Sequence, residues 1–224
     1  MPGRISRVLF DMDGVLINSN AAIETFWSEW ASKEKLAITE ADIRHKIHGR
    51  PTLETIDLLF AGSADETKQN IYSEARLFDI TMRPLLLPGV KRFVTQLHAA
   101  SVVTGVVTSA PAERITHMLQ PHGIYHLFNA MVTSEDYTKG KPDPEPYTVM
   151  ATRLAVKPSC CLVFEDADSG IRAALDAGMQ VVAVNNAFEH ERVIGHIPDF
   201  AGITMNGASI LHNGNLLAQI DFSC

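Results

Sequence analysis

The stretch Val8-Leu9-Phe10-Asp11-Met12-Asp13-Gly14 sets the tightest constraint on how this chain can fold. Val8, Leu9 and Phe10 form a short apolar run, the pattern of a strand covered on both faces. Asp11 and Asp13 follow, one residue apart, with Gly14 behind them. In extended backbone, residues two apart point to the same side. Both carboxylates then face one small volume at the strand's carboxyl end, where open parallel sheets bind ligands. Two adjacent acids repel, and one takes a proton unless a cation sits between them. Two readings fit this stretch: a nucleophilic Asp with an acid/base Asp beside a Mg2+ ion, or a surface turn rich in Asp and Gly.

After Leu16 the pattern changes. Ile17-Asn18-Ser19-Asn20 is short and polar, a hinge out of the first strand. From Ala21 to about Lys35 the spacing is helical, with Ala22, Phe26 and Trp30 four residues apart. A second helix is expected near Thr39, which can cap it, ending at His48-Gly49-Arg50-Pro51. A third is expected from about Thr52 to Phe60 and a fourth from about Ala64 to Phe78. No strand is evident between about Asn20 and Arg83, so this segment is expected to be an all-helical insertion.

Alternating strands and helices resume at Pro88-Gly89. Helices are expected at Val90 to about Ala100, after Pro111, at Glu145 to Leu154 and at Ile171 to Ala177. Apolar strands are expected at Val102–Val107, Ala130–Val132, Cys160–Phe164 and Val181–Val184. The segment from Ala187 to Asp199 carries no clear pattern. Asn213-Gly214-Asn215 reads as a turn into a last strand. Strand–helix alternation with apolar strands implies an α/β fold, a parallel sheet with helices on both faces. The expected division is a Rossmann-like core, residues 1–17 and 84–224, and a helical cap, residues 18–83. A length of 224 residues suits that arrangement, and 46% hydrophobic residues suffice for a packed core.

Four expected strands end in groups that chemistry could use: Asp11 with Asp13, Thr108 with Ser109, the loop around Lys141, and Glu165 with Asp166. In a parallel sheet these ends lie on one edge. Each group has a plainer reading. Thr-Ser after a strand is commonly a helix cap, a Lys in a Pro-rich loop is commonly solvated, and Glu-Asp commonly opens a helix. Their ordered coincidence suits phosphoryl transfer. Carboxylate oxygens can hold Mg2+, Lys141 can neutralise a nucleophile and phosphoryl oxygens, and Thr108 or Ser109 can bind the remaining oxygens.

Composition narrows the partners. The formal net charge of −7 argues against nucleic-acid or anionic-membrane binding in general, though a local basic pocket for an anionic substrate is compatible with it. The 3 cysteines, Cys160, Cys161 and Cys224, show neither zinc spacing nor a disulfide framework, and read as two core thiols and a free tail thiol. No leader peptide and no bilayer-spanning run is apparent. A reduced, cytoplasmic, monomeric protein is expected.

These motifs together resemble a haloacid dehalogenase-superfamily phosphatase with a helical cap after the first strand, over nearly the whole stretch from Val8 to Asn185. The resemblance implies that Asp11 is the nucleophile that becomes an aspartyl-phosphate. It implies that Asp13 is the acid to the leaving alcohol and then the base for water. Thr108, followed by Ser109, would bind phosphate, and Lys141 would be the family's third-motif lysine. Asp166 with Glu165 would complete a Mg2+ site, joined by Asp11 and the main-chain oxygen of Asp13. Within the superfamily, Ala22 to Trp27, Ile47-His48-Gly49-Arg50 and Gly140 to Tyr147 look like those of small sugar- and polyol-phosphate phosphatases. That resemblance implies a phosphorylated sugar or polyol as substrate, touched by His48, Gly49 and Arg50. For that loop, a helix terminus capped by Gly is an equally good reading.

The nearest rival is a β-phosphoglucomutase-like sugar phosphomutase, which shares the core motifs. Such mutases use a His in the first cap helix and an Arg after the cap-loop Gly, where this chain has Ile23 and Thr52. A dehalogenase would lack the second Asp and need no Mg2+. A non-catalytic binding module would have no need of the complete set of motif residues.

Overall fold

The computed structural model describes residues 4–224. In chain order the elements begin with β1 (Arg4–Ile5), β2 (Arg7–Phe10) and α1 (Asn20–Lys33). The helices α2 (Glu40–Asp42), α3 (Thr52–Leu59), α4 (Asp65–Thr81) and α5 (Val90–Ala99) follow. Next come β3 (Val103–Val107), α6 (Ala112–Leu119), β4 (Ala130–Val132), α7 (Glu145–Arg153) and β5 (Cys161–Glu165). The chain closes with α8 (Asp168–Asp176), β6 (Gln180–Val184), β7 (Val193–Ile197), β8 (Ile203–Asn206), β9 (Ser209–His212) and β10 (Asn215–Ile220).

The main sheet has the order β4-β3-β2-β5-β6-β7, and every pairing in it is parallel. Its strands are apolar because both faces are covered. In β2, Val8 and Phe10 enter the core on one face and Leu9 the core on the other. Helices α5 and α6 bury Phe93, Leu97, Ile115 and Met118 on the first face. Helices α7 and α8 bury Tyr147, Met150, Ile171 and Ala174 on the second. The first face is built around phenylalanines. Phe10 stacks on Phe164 with ring centres 5.2 Å apart, and Phe93 stacks on Phe200 at 5.8 Å.

Between β2 and α5 the described chain is helical from α1 to α4, with a separate hydrophobic cluster of its own. Trp27, Trp30, Ile56, Phe60 and Ile71 belong to it; of the three positions four apart read in α1, Trp30 is in the cluster, Phe26 packs against it and Ala22 is exposed. Thr39 caps α2 in a reciprocal capping box with Asp42. The helix then widens into a π-turn over Ile43–Ile47 and stops at His48. The two connections to this helical layer run side by side. Asn18 N–H donates to Leu85 O at 2.8 Å, and Leu87 N–H to Leu16 O at 3.1 Å.

The C-terminal region differs from the single sheet expected. The unread segment Ala187 to Asp199 contributes β7, which extends the parallel sheet. The last three strands form an antiparallel meander, turning at Asn213-Gly214 as read from the sequence. It makes a second sheet, β1-β10-β9-β8, in which β1 pairs parallel with β10.

The cysteine reading is corrected. Cys160 and Cys224 form a disulfide across a sequence separation of 64, and Cys161 is the buried free thiol. Tertiary structure brings the pair together. Ser6 N–H donates to Cys160 O, and Asp221 N–H donates to Ile5 O, so the base of β5 and the chain end flank the same short segment. Sequence spacing carries no trace of this proximity, and the expectation of a reduced compartment drawn from cysteine usage loses its premise. Among the described residues, no helix is long and apolar enough to cross a membrane.

Phe93 lies wholly buried between Phe10, Phe164 and Phe200. Phe93→Ala should lower unfolding stability by about 3–5 kcal/mol, the range for removing a fully packed aromatic. Urea denaturation checks this, and a loss under about 1 kcal/mol would contradict the packing described.

Candidate active site

β2 lies at the centre of the sheet with β3 on one side and β5 on the other. Phe10 is in register with Val106 and Phe164. The residues just past those positions, Asp11, Thr108, Glu165 and Asp166, therefore emerge together at one edge. This is the switch point of an open parallel sheet, where neighbouring loops diverge and leave a crevice.

Lys141 joins the strands from below. Its side chain is wholly buried. Nζ donates to Asp11 Oδ1 at 2.6 Å, to Glu165 Oε1 at 2.5 Å and to Val107 O at 3.1 Å. Glu165 is also fully buried, and its oxygens are all engaged. Oε1 accepts from Tyr147 Oη–H as well, at 3.0 Å, and Oε2 accepts from the N–H groups of Asp166 and Ala167. Asp11 Oδ2 has no hydrogen-bond donor among the described residues.

Asp166 approaches over Gly14. The backbone of Gly14 has φ +71°, and a Cβ there would collide with the Asp166 carboxylate and with Asn20. Only glycine permits both the conformation and the approach. Asn20 Nδ2 donates to Asp166 Oδ2 at 2.7 Å. Ligand oxygens of Asp11, Glu165 and Asp166 all lie within 4.8 Å of one another.

Asp13 is held from the other side. Arg114 grips it with both terminal nitrogens, Nη1 to Oδ2 at 2.5 Å and Nη2 to Oδ1 at 2.6 Å. Ser19 Oγ donates to the same Oδ1 at 2.5 Å. Arg114 Nε lies 2.9 Å from Asp79 Oδ1 on α4.

This is a buried excess of negative charge: Asp11, Asp13, Glu165 and Asp166 face the two cations Lys141 and Arg114. Burial pushes the Asp11 carboxyl up to about 8 against the pull of Lys141, with Glu165 and Asp13 adding to the rise. Asp166 is pushed well above the carboxylate range by burial and then by Glu165 and Asp11. Burial alone would lower Lys141, but Asp11 and Glu165 hold it well above its ordinary value, so it stays charged. Asp79 is raised to about 6 by burial, with Arg114 pulling the other way. Clustered hard oxygens with surplus charge are the donor set that suits a divalent cation. The residues present fit one.

The structure brings the remaining expected residues to the same cavity, about 80 Å3 in volume, between sheet edge and helical layer. Thr108 is buried, and its Oγ1 accepts from Ala110 N–H at 3.2 Å, which leaves its hydroxyl proton free to donate. Ser109 Oγ donates to Gly49 O at 2.7 Å, and Ser169 Oγ to His48 O at 3.1 Å. These two bonds dock the His48–Arg50 loop over the edge. Gly49 has φ +72°, and a Cβ there would strike Ser169 Oγ. The two readings of this loop meet at Gly49, which both ends a helical turn and lines the cavity. His48 Nε2 lies 2.9 Å from Glu24 Oε1, and Arg50 pairs with Glu54.

Sequence reasoning missed Arg114, Asp79, Asn20 and Ser19, all of which reach this site. Arg114 belongs to no motif. Its only signal is a charge placed beside Ile115 and four residues before Met118, on the buried side of α6.

Comparison with known proteins agrees with this geometry. The haloacid dehalogenase-like hydrolase family matches residues 8–184. Validoxylamine A 7'-phosphate phosphatase of Streptomyces hygroscopicus subsp. limoneus is 34% identical over 187 residues, covering 82% of this chain and 87% of that protein. Hexitol phosphatase A of Escherichia coli (strain K12) is 32% identical over 186 residues, covering 81% and 84%. The crystal structure of β-phosphoglucomutase from Clostridium difficile superposes with a TM-score of 0.76 at 22% identity, covering 88% of this chain and 92% of that one; at that identity it speaks for the fold. By sequence match, sheet order and the arrangement of its edge residues, the chain belongs to the haloacid dehalogenase-like hydrolase family.

Proposed function

We propose that this protein is a Mg2+-dependent phosphatase of small sugar or polyol phosphate monoesters, working through an aspartyl-phosphate. The observation that carries the reading is Asp11. It is buried at the switch point, tethered through one oxygen to Lys141, and left with its other oxygen free of donors.

Asp11 attacks phosphorus in line, and Asp13 gives a proton to the leaving alcohol. Asp13 then takes a proton from the water that attacks the acyl phosphate, and Asp11 is released. Lys141 holds Asp11 oriented and offsets charge on the phosphoryl oxygens. Thr108 donates its free hydroxyl proton to those oxygens, and Ser109, whose hydroxyl here donates to Gly49 O, binds them on turning from that carbonyl. Asp11, Asp166 and the Asp13 carbonyl would hold Mg2+, with Glu165 in the same cluster but occupied in orienting Lys141. Bound there, the ion supplies positive charge that lets an anionic nucleophile meet a phosphate dianion.

Residues 18–83 act as a cap over a core formed by 1–17 and 84–224. The cap hinges at the paired connections near Ile17–Asn20 and Arg83–Pro88, and closing it excludes water. Its face on the cavity combines Ile23, Phe26 and Phe78 with His48, Arg50 and Thr52. Apolar walls for C–H faces beside polar groups for hydroxyls suit a sugar or polyol. The curated relatives named above act on phosphorylated compounds by their names. The mutase alternative expects a His and an Arg where Ile23 and Thr52 line the cavity, and neither of these can move a proton as His does or hold a second phosphate as Arg does.

Phosphate release from a panel of sugar and polyol phosphates, with Mg2+ and with chelator, tests this reading. Release should require Mg2+ and vanish in Asp11→Asn with the fold intact by circular dichroism. Appreciable turnover by that variant would refute the nucleophile, and interconversion of hexose phosphates without release would make the protein a mutase.

A second expectation concerns pH. The Asp11 carboxyl moves from an ordinary 3.8 to about 8 on folding. Between those values the folded chain binds more protons than the unfolded, so this group's contribution to metal-free stability falls as pH rises. A bound cation takes the place of those protons. The thermal shift caused by Mg2+ should therefore grow from about pH 5 to about pH 8, toward ~2.7 kcal/mol at a hundred times Kd. Differential scanning fluorimetry measures it, and a shift that shrinks with rising pH would contradict the site.

A further inference from the structure

The cavity between sheet edge and helical layer has no uncommitted cation in its lining. Each basic side chain there already faces a carboxylate: Arg114 faces Asp13 and Asp79, Arg50 faces Glu54, and His48 faces Glu24. Asp79 is short of partners in the opposite sense. It lies in the last turn of α4, on one helix face with Ala75 and Phe78, and all three line the cavity. Its side chain is only 18% exposed. Arg114 Nε stands 2.9 Å from Oδ1 without hydrogen-bond alignment. Among the described residues, none donates a hydrogen bond to either Asp79 oxygen.

A carboxylate enclosed in this way has lost water without gaining donors. Burial pushes its carboxyl up to about 6, and a donor to the ionised form would reverse that rise. The wall beside it is apolar, with Phe26 and Phe78 stacked at 4.9 Å between ring centres. Its place relative to the chemistry is also set. Arg114 holds Asp13 with its two terminal nitrogens and meets Asp79 with the third, so one guanidinium separates the two carboxylates. Asp13 stands at the ester oxygen in the reading above, which leaves Asp79 facing the carbons that follow it.

We propose that Asp79 is a specificity-determining residue, which accepts a hydrogen bond from a hydroxyl of the leaving group near the ester oxygen and turns away leaving groups that carry a second anion. The proposal rests on the phosphatase reading and narrows its substrates to phosphate monoesters of neutral polyols and sugars. A hydroxyl fills the missing donor at Asp79 while its carbon lies on the Phe26–Phe78 wall. A carboxylate or second phosphate at the same place brings no donor. It meets Asp79 as a like charge in a poorly hydrated cavity and finds each nearby cation already paired. Phosphorylated hydroxy acids and bisphosphates are thereby excluded.

Three esters of one size test this. Glycerol 3-phosphate carries the hydroxyls, propyl phosphate lacks them, and 3-phosphoglycerate replaces the terminal hydroxymethyl group by a carboxylate. Ratios of kcat/KM between these esters cancel any damage that a variant does to all of them alike. In Asp79→Asn the ratio of glycerol 3-phosphate to propyl phosphate should fall about tenfold, because a charge-assisted hydrogen bond becomes a neutral one. The ratio of 3-phosphoglycerate to propyl phosphate should rise about tenfold, because the like charge is gone. Asp79→Glu keeps the charge and should keep 3-phosphoglycerate excluded. Either ratio in Asp79→Asn staying within about twofold of the wild type would overturn the proposal, as would acceptance of 3-phosphoglycerate by Asp79→Glu.

Binding gives a readout independent of turnover. If the wild-type protein with Mg2+ hydrolyses none of the three esters, the phosphatase reading fails by itself. Titration calorimetry of the same unreacted esters into wild type and Asp79→Asn then decides the role of Asp79. The same two shifts, read in Kd, support it, and their absence or a lack of binding by all three esters overturns it.

Discussion

The buried contact of Lys141 with Asp11 and Glu165 is the interaction on which the rest of this structure depends. One ammonium, inaccessible to water, touches the ends of three adjacent strands: Asp11 after β2, Val107 in β3 and Glu165 in β5. A charge so deeply buried is tolerable only when its partners are charged and well aligned. Tyr147, which shares Oε1 with Lys141, and the backbone N–H groups of Asp166 and Ala167, which use Oε2, complete that requirement. Asp11, the proposed nucleophile, is thereby held with one oxygen tied and, among the described residues, the other without a donor. Tethering of this kind is what phosphoryl transfer asks of a protein, since positioning and charge stabilisation do most of the work.

The same charges explain the layout around them. Four carboxylates in one cleft would repel without cations on either side. Lys141 serves Asp11 and Glu165 from within the sheet, and Arg114 serves Asp13 from α6. Among the described residues, the Asp166 carboxylate receives a hydrogen bond only from Asn20, at the start of α1. The helical layer therefore reaches the site at several places: Asn20 at Asp166, the His48–Arg50 loop at Ser109 and Ser169, and Asp79 at Arg114. These contacts tie the position of the helical layer to the electrostatics of the core.

Much of this was legible in the sequence. Each apolar run that became a strand of the parallel sheet from β2 to β6 was visible, because a strand buried on both faces has few residue types available to it. Asp11, Asp13, Lys141, Glu165 and Asp166 were legible because each sits directly after a strand or in a loop rich in Gly and Pro, and their order along the chain matches a family. The helices of the inserted layer followed from periodicity, and Thr39 from its capping chemistry. Strand β7 was not legible, since Gly195 and His196 interrupt its short apolar run and the polar Glu189-His190-Glu191-Arg192 stands just before it.

Sequence by itself determined the α/β architecture, the sheet-edge chemistry and the presence of a helical insertion, because local periodicity and strand-end residues encode them within a few positions. Tertiary structure alone decided the rest. The Cys160–Cys224 bond, the pairing of β1 with β10, and the contacts of Arg114 with Asp13 and Asp79 all join residues far apart in the chain. Such contacts arise when packed faces carry side chains into register across elements. No spacing rule records which arginine on a buried helix face will meet which carboxylate.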